Sequence, residues 1–291
     1  MAQQDIDIVL LKGMAYIELY YRNFGLRPMN DIDILIRIKD LSKTLNMLKK
    51  IGFEPTDQLW CNFDEEYTYI RHGAGFHHPE MEIDIDLHWH ILPENRGIED
   101  DNAIWRRKKE FDIEGGVKCF TLEATDHLLH TCLHGFKWNP IPSLRWIADA
   151  LMILKHEDIQ WQILIDEAKT REMGYTLGKA LEYLKREYNA SIPVPVVDEL
   201  MSCPMSRREK IGKHARYSSP DPESLFVRPW RWFHYQCYLY MQAKRYKSIQ
   251  CIIPSNVIRL LRYHWQKKNS SDVFVKFFRG WLKKIKIYFD T

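Results

Sequence analysis

With 45% apolar and 28% charged residues over 291 positions, the chain has the composition of a folded globular protein with room for two ordinary domains, not of a disordered or fibrous one. It contains no run of about 18 apolar residues, which argues against a hydrophobic membrane-spanning helix. Its net charge of +3 hides an asymmetry: residues 206–291 hold 19 Lys and Arg against 5 Asp and Glu, whereas residues 1–205 hold 23 against 34. The basic third is suited to an anionic partner: nucleic acid, a membrane surface or the acidic front of the chain itself.

The opening residues MAQQDIDIVLLKG carry no basic region ahead of an apolar stretch and no small-residue cleavage site, so a cytoplasmic protein is the expectation. The six cysteines form no CxxC pair, which points to reduced core thiols rather than a zinc ribbon or a disulfide framework.

In chain order, IDIVLLKG predicts a strand running into Gly13, and MAYIELYYRNF a helix ending near Gly25. The stretch DIDILI, residues 31–36, predicts a buried strand bearing Asp31 and Asp33. DLSKTLNMLKKIGF predicts a helix capped by Asp40, with Leu41, Leu45 and Leu48 on one face and Gly52 as its stop. EYTYIRHG and MEIDIDLHWHIL predict two further strands, separated by the turn-rich GAGFHHPE. From Thr121 the apolar spacing changes to three and four, and TLEATDHLLHTCLHGF, SLRWIADALMILKH, DIQWQILIDEAKTREMG and YTLGKALEYLKREYN each predict a helix. The expected fold class is therefore α+β: a mixed sheet flanked by helices in residues 1–120, then an all-helical, basic domain in residues 121–291, with the joint near EGGVKCFTL.

Side chains two apart on a strand share a face, so Asp31 and Asp33 are expected as neighbours. Two carboxylates held together are mutually unfavourable and costly to bury. A divalent cation resolves both problems, and hard oxygen ligands favour magnesium. The strand EIDIDLHW repeats the pattern, with Glu82, Asp84, Asp86, His88 and His90 on one face and Ile83, Ile85 and Leu87 on the other. If the two strands are neighbours, a third carboxylate completes a two-metal site for phosphoryl transfer; if they are edge strands, these are solvated acidic faces. Gly13 stands at a helix N-terminus, where free N–H groups and the helix dipole attract phosphate, with Lys12 as an added charge.

These residues resemble the DNA polymerase β-like nucleotidyltransferase superfamily. LLKGMAYIELYY, GLRPMNDIDILI, IGFEP, IDLHWHI and LRWIADALMIL are similar to a largely uncharacterised bacterial branch of it, over residues 9 to about 160, with a weaker likeness in CIIPSNVIRLLRYHW. The resemblance implies a mixed-sheet catalytic domain that moves a nucleoside monophosphate from a nucleoside triphosphate to a hydroxyl acceptor, using two magnesium ions for which manganese can substitute. It implies Asp31 and Asp33 as the first two metal ligands and Asp86 as the third, with Asp84 as its rival, and the third carboxylate as a candidate base. Gly13, aided by Lys12 and Arg27, would face the triphosphate, although Met14 replaces the serine that usually follows this glycine. His88 shares the face of Asp86 and is read either as a nucleotide contact or as a structural hydrogen-bonding residue. The resemblance also implies a helical segment ahead of the first strand, and hence an N-terminal truncation.

The acceptor is open between small molecule, protein and RNA. Two alternatives accompany the enzyme reading: a catalytically weak module that binds nucleotide or nucleic acid, and a toxin–antitoxin type protein adenylyltransferase. Trp89 faces away from the carboxylates and is expected in the core. His127, His130 and His134 lie at helical spacing, but no nearby acid or cysteine set completes a zinc site. His134, Arg145 and Asp149 are read as a buried polar cluster with an Arg145–Asp149 pair at i and i+4, or else as cleft-lining residues. In the back third, RPWRWFHYQCYLYMQAKRYK and RLLRYHWQKK interleave aromatics with cations as an RNA-binding surface would. VFVKFFRGWLKKIKIYF is expected as a terminal helix with a solvated basic face, or as a membrane-surface helix.

Overall fold

The computed structural model describes residues 6–56, 68–69, 71–97, 101–113, 116–138, 144–216, 238–239 and 271. The aromatic and basic stretches of the back third, from RPWRWFHYQCYLYMQAKRYK to VFVKFFRGWLKKIKIYF, lie almost wholly outside the described residues.

The described strands form one mixed seven-stranded sheet. They are β1 (Val9–Leu10), β2 (Ile32–Leu35), β3 (Glu54–Pro55), β4 (Gly73–His78), β5 (Ile83–His88), β6 (Lys109–Ile113) and β7 (Val117–Thr121), in the order β3-β4-β5-β2-β1-β7-β6. β2 pairs parallel with β5, and β1 parallel with β7; the remaining pairs are antiparallel. Helix α1 (Lys12–Tyr16) leaves β1 directly and widens into a π-helical turn over Ile17–Tyr21, closed by the Arg22 N–H on the Ile17 carbonyl at 2.7 Å. α2 (Leu41–Lys50) buries Leu41 and Leu48 and leaves Leu45 half-buried. Asp40 precedes α2 as expected, but its side chain makes no capping bond; a 3₁₀ turn over Ile38–Asp40 already leads the chain in.

Two sequence expectations change on this side of the sheet. Thr68 and Tyr69 are helical rather than extended, and GAGFHH is itself strand β4, whose turn follows at residues 79–82. The glycines there mark close packing: a Cβ on Gly73 would approach the Leu87 carbonyl to 2.8 Å, and one on Gly75 would approach Thr56 Oγ1 to 2.6 Å. In addition, β5 ends at His88, so Glu82 and His90 fall outside the alternating face. His90 is buried against Asp101, with Nδ1 at 3.4 Å from the carboxylate.

After α3 (Asn102–Arg107) and the β6–β7 hairpin, the chain is helical to residue 216: α4 (Ala124–Trp138), α5 (Leu144–His156), α6 (Trp161–Thr170), α7 (Gly174–Tyr188), α8 (Val194–Ser202) and α9 (Arg207–Arg216). A single apolar cluster runs from Ile6 to Leu200, so sheet and helices share one core. Trp89 is 2% exposed there and donates its indole N–H to the Thr68 and Arg71 carbonyls. Burying one such aromatic contributes about 1.5–3 kcal/mol. Cys119, Cys132 and Cys203 are free thiols. Among the described residues, no helix is long and apolar enough to cross a membrane.

Candidate active site

β2 and β5 run side by side in a register that sets Asp33 opposite Asp86. Because matching positions on adjacent strands project to one face, the two carboxylates meet, and His88 returns to that face two residues later. His88 Nε2 lies 3.2 Å from Asp33 Oδ1 and 3.0 Å from Asp86 Oδ2. One ligand atom from each of Asp33, Asp86 and His88 falls within 4.8 Å of the others. Asp33 and His88 are buried and Asp86 is half-buried.

Lys12, the first residue of α1, adds a second cation: its Nζ is 2.6 Å from Asp33 Oδ1. To place it, Lys12 adopts φ 41°, in the left-handed region that side chains rarely enter. Strain of this kind is typical of functional sites, where the surrounding structure holds it in place. Here the Leu11 N–H donates to the Asp33 carbonyl at 3.0 Å, tying the start of α1 to β2. Gly13 follows, and Met29 packs against it so closely that a Cβ at 13 would meet Met29 Sδ at 3.1 Å.

The electrostatics follow from this crowding. Burial raises the Asp33 carboxyl, but the His88 hydrogen bond and the Lys12 charge outweigh it and hold the group below the usual range. Burial likewise opposes ionisation of Asp86, and His88 reverses the balance, leaving its carboxyl well below the usual range. Burial also disfavours the His88 cation, yet the Asp86 charge and the two carboxylate hydrogen bonds push its pKa up to about 9. Asp31, just ahead of β2 and exposed, stands outside the tight set. Its carboxyl is raised, first by partial burial and then by the charges of Asp33 and Asp86.

These groups face a cavity of about 350 Å³. The sheet side presents Asp31, Asp33, Asp86, Lys12 and Gly13, and the segment leading into β2 adds Arg27 and Met29. The helical part adds Thr131, His134 and Gly135 of α4 and Arg145, Trp146 and Asp149 of α5 to the lining. Asp84 is exposed and bonds His77 Nδ1 at 2.8 Å on the far end of β5, outside the set that Asp86 enters. His134 is held neutral, its pKa lowered to about 3 by burial and then by Lys12.

The Arg145–Asp149 pair expected on α5 does not form. Asp149 instead takes Arg27 in a two-pronged bond, Nε at 2.8 Å and a terminal nitrogen at 2.9 Å, and also accepts from the Tyr21 hydroxyl at 3.0 Å. The reason is burial: the Arg27 guanidinium has left water and requires a full carboxylate partner, whereas Arg145 is exposed and remains hydrated. Arg27, expected to face phosphate, therefore lines the cavity with its charge already engaged.

Carboxylates from adjacent parallel strands, facing a cleft closed by helices, are suited to phosphoryl-group chemistry. The chain belongs to a family described as an uncharacterised nucleotidyltransferase, whose model matches residues 1–189. No curated protein matches it.

Proposed function

We propose that this protein is a magnesium-dependent nucleotidyltransferase that moves a nucleoside monophosphate from a nucleoside triphosphate to a hydroxyl acceptor, releasing pyrophosphate. The observation that carries the reading is the Asp33–Asp86 register pair facing the cavity with two cationic side chains drawn onto it. The donor set fits a hard divalent ion: carboxylate oxygens on adjacent strands, one still accessible, with Asp31 at the edge carrying uncompensated repulsion. Asp33 and Asp86 would hold the metal, with Asp31 as a further ligand. Bound magnesium would neutralise phosphate charge and lower the pKa of the acceptor hydroxyl.

The chain's own residues do the positioning. Lys12 and the first turn of α1 at Gly13 face the phosphates, and Leu11 offers no side-chain cap to compete for those N–H groups. Asp86, half-buried and open to the cavity, is placed to accept the hydroxyl proton. His88 fixes the orientation of both carboxylates. Residues 1–120 would act as the catalytic domain of a cytoplasmic enzyme, and residues 121–291 as the part that meets the acceptor, with small molecule, protein and RNA as its candidate classes.

A nucleoside triphosphate with magnesium should raise the melting temperature, and Asp31→Asn with Asp33→Asn should abolish the shift. No shift with any of the four common triphosphates would overturn the reading. Transfer of label from α-labelled triphosphates into cell lysate would then identify the acceptor.

A further inference from the structure

We propose that Arg145, at the start of α5, contacts the β- and γ-phosphates of the nucleotide, so that the triphosphate spans the cleft from the carboxylate strands to the helical side. This rests on the nucleotidyltransferase reading above and names a binding residue within it.

Among the described residues, three basic side chains line the cavity, and two are engaged. Lys12 is 2.6 Å from Asp33, and Arg27 is held by both oxygens of Asp149. Arg145 makes no ion pair among the described residues, because its natural i+4 partner on the helix is the carboxylate that Arg27 has taken. Among the described residues, the Arg27–Asp149 pair thus leaves a guanidinium free in the same cavity as Asp31, Asp33 and Asp86.

The surroundings favour an anion there. α5 begins at Leu144 with no acidic residue in its first turn, so its positive dipole end faces no carboxylate of its own helix there. The neighbouring Trp146 lines the same cavity, is 4% exposed, and its indole N–H has no acceptor among the described residues. The cavity volume of about 350 Å³ is within the range of small-molecule sites. A guanidinium is the side chain best matched to phosphate oxygens.

The test uses the full chain with magnesium, and compares by calorimetry α,β-methylene nucleoside triphosphates with the corresponding monophosphates. Arg145→Ala should weaken the triphosphate analogue on the order of 10-fold and leave the monophosphate within about twofold, with Arg145→Lys intermediate. An unchanged melting curve for both variants, expected of an exposed side chain, certifies the fold. If Arg145→Ala binds both nucleotides like the wild type, or weakens both equally, the assignment of Arg145 fails while the nucleotidyltransferase reading stands. If the wild type binds no triphosphate, both fail.

Discussion

Asp33 and Asp86 are direct register partners on adjacent parallel strands, and one nitrogen of His88 bridges their carboxylates at 3.2 and 3.0 Å. Asp84, two residues earlier on β5, instead bonds exposed His77. Asp86→Asn should therefore lower magnesium-dependent transfer on the order of 10²-fold or more, as expected for losing a group that handles charge in the transition state. Asp84→Asn should stay within about twofold of wild type. Initial rates of pyrophosphate release measure both, and the reverse ranking would make Asp84 the functional partner.

Asp31 should reveal a conflict between function and stability. Its carboxyl is raised by partial burial and by the charges of Asp33 and Asp86, so at neutral pH the ionised form is held against its preference. Asp31→Asn should raise the melting temperature in metal-free buffer while removing the additional stabilisation by magnesium and nucleotide. A fall in the metal-free melting temperature would show that Asp31 contributes to the fold instead.

Acid should destabilise the protein well above the usual carboxylate range. His127 and His130 of α4 are buried; burial lowers the pKa of His127 to about 3 and holds that of His130 well below its ordinary value. An unfolded histidine takes up its proton near 6.5, so below that pH the unfolded state binds more protons and stability falls with pH. For His127 the loss reaches about 1.4 kcal/mol per pH unit between roughly 6.5 and 3, and His130 adds a loss of the same sign below about 6.5. Urea midpoints should decline from about pH 6.5 to 5, below the window in which His88, its pKa raised to about 9, adds stability as pH falls, and His130→Leu should flatten the decline.

Gly135 sets the spacing of α4 and α5, because a Cβ at this position would fall on Cβ of Trp146. Gly135→Ala should push α4 and α5 apart at a cost of about 1–3 kcal/mol, despite the better helix propensity of alanine. For a protein of this size that is a drop of about 2–4 °C in Tm per kcal/mol. A melting curve at or above that of wild type would contradict the packing.

Much of this architecture was legible in residue order. The alternation in DIDIL and IDIDLH predicts two strands whose carboxylates share a face, and the three-to-four spacing after Thr121 predicts α4 to α7 nearly in full. Strand β4 was not legible, because glycine signals a turn by composition and here serves close packing against β5 and Thr56. Nor was the pairing of Arg27 with Asp149, since the nearer i+4 partner on α5 competes for the same carboxylate and only burial decides between them. His88 shows an intermediate case: period two placed it on the right face, but its bridge between Asp33 and Asp86 depends on the parallel register of β2 and β5.

That long-range pair is the last point to test. Arg27 and Asp149 are both buried and line the cavity, and they tie the segment leading into β2 to α5. Removing one partner strands a buried charge, so Arg27→Met or Asp149→Leu alone should destabilise by about 3–5 kcal/mol. The double variant should recover most of that loss, since apolar replacement of a buried pair is often neutral. Nucleotide affinity separates positioning from simple stability: in the double variant Arg145 and Asp31 lose their fixed spacing, so KM for the triphosphate should rise even where the melting curve has recovered. If stability and KM recover together, the pair is a structural tie with no bearing on the cleft.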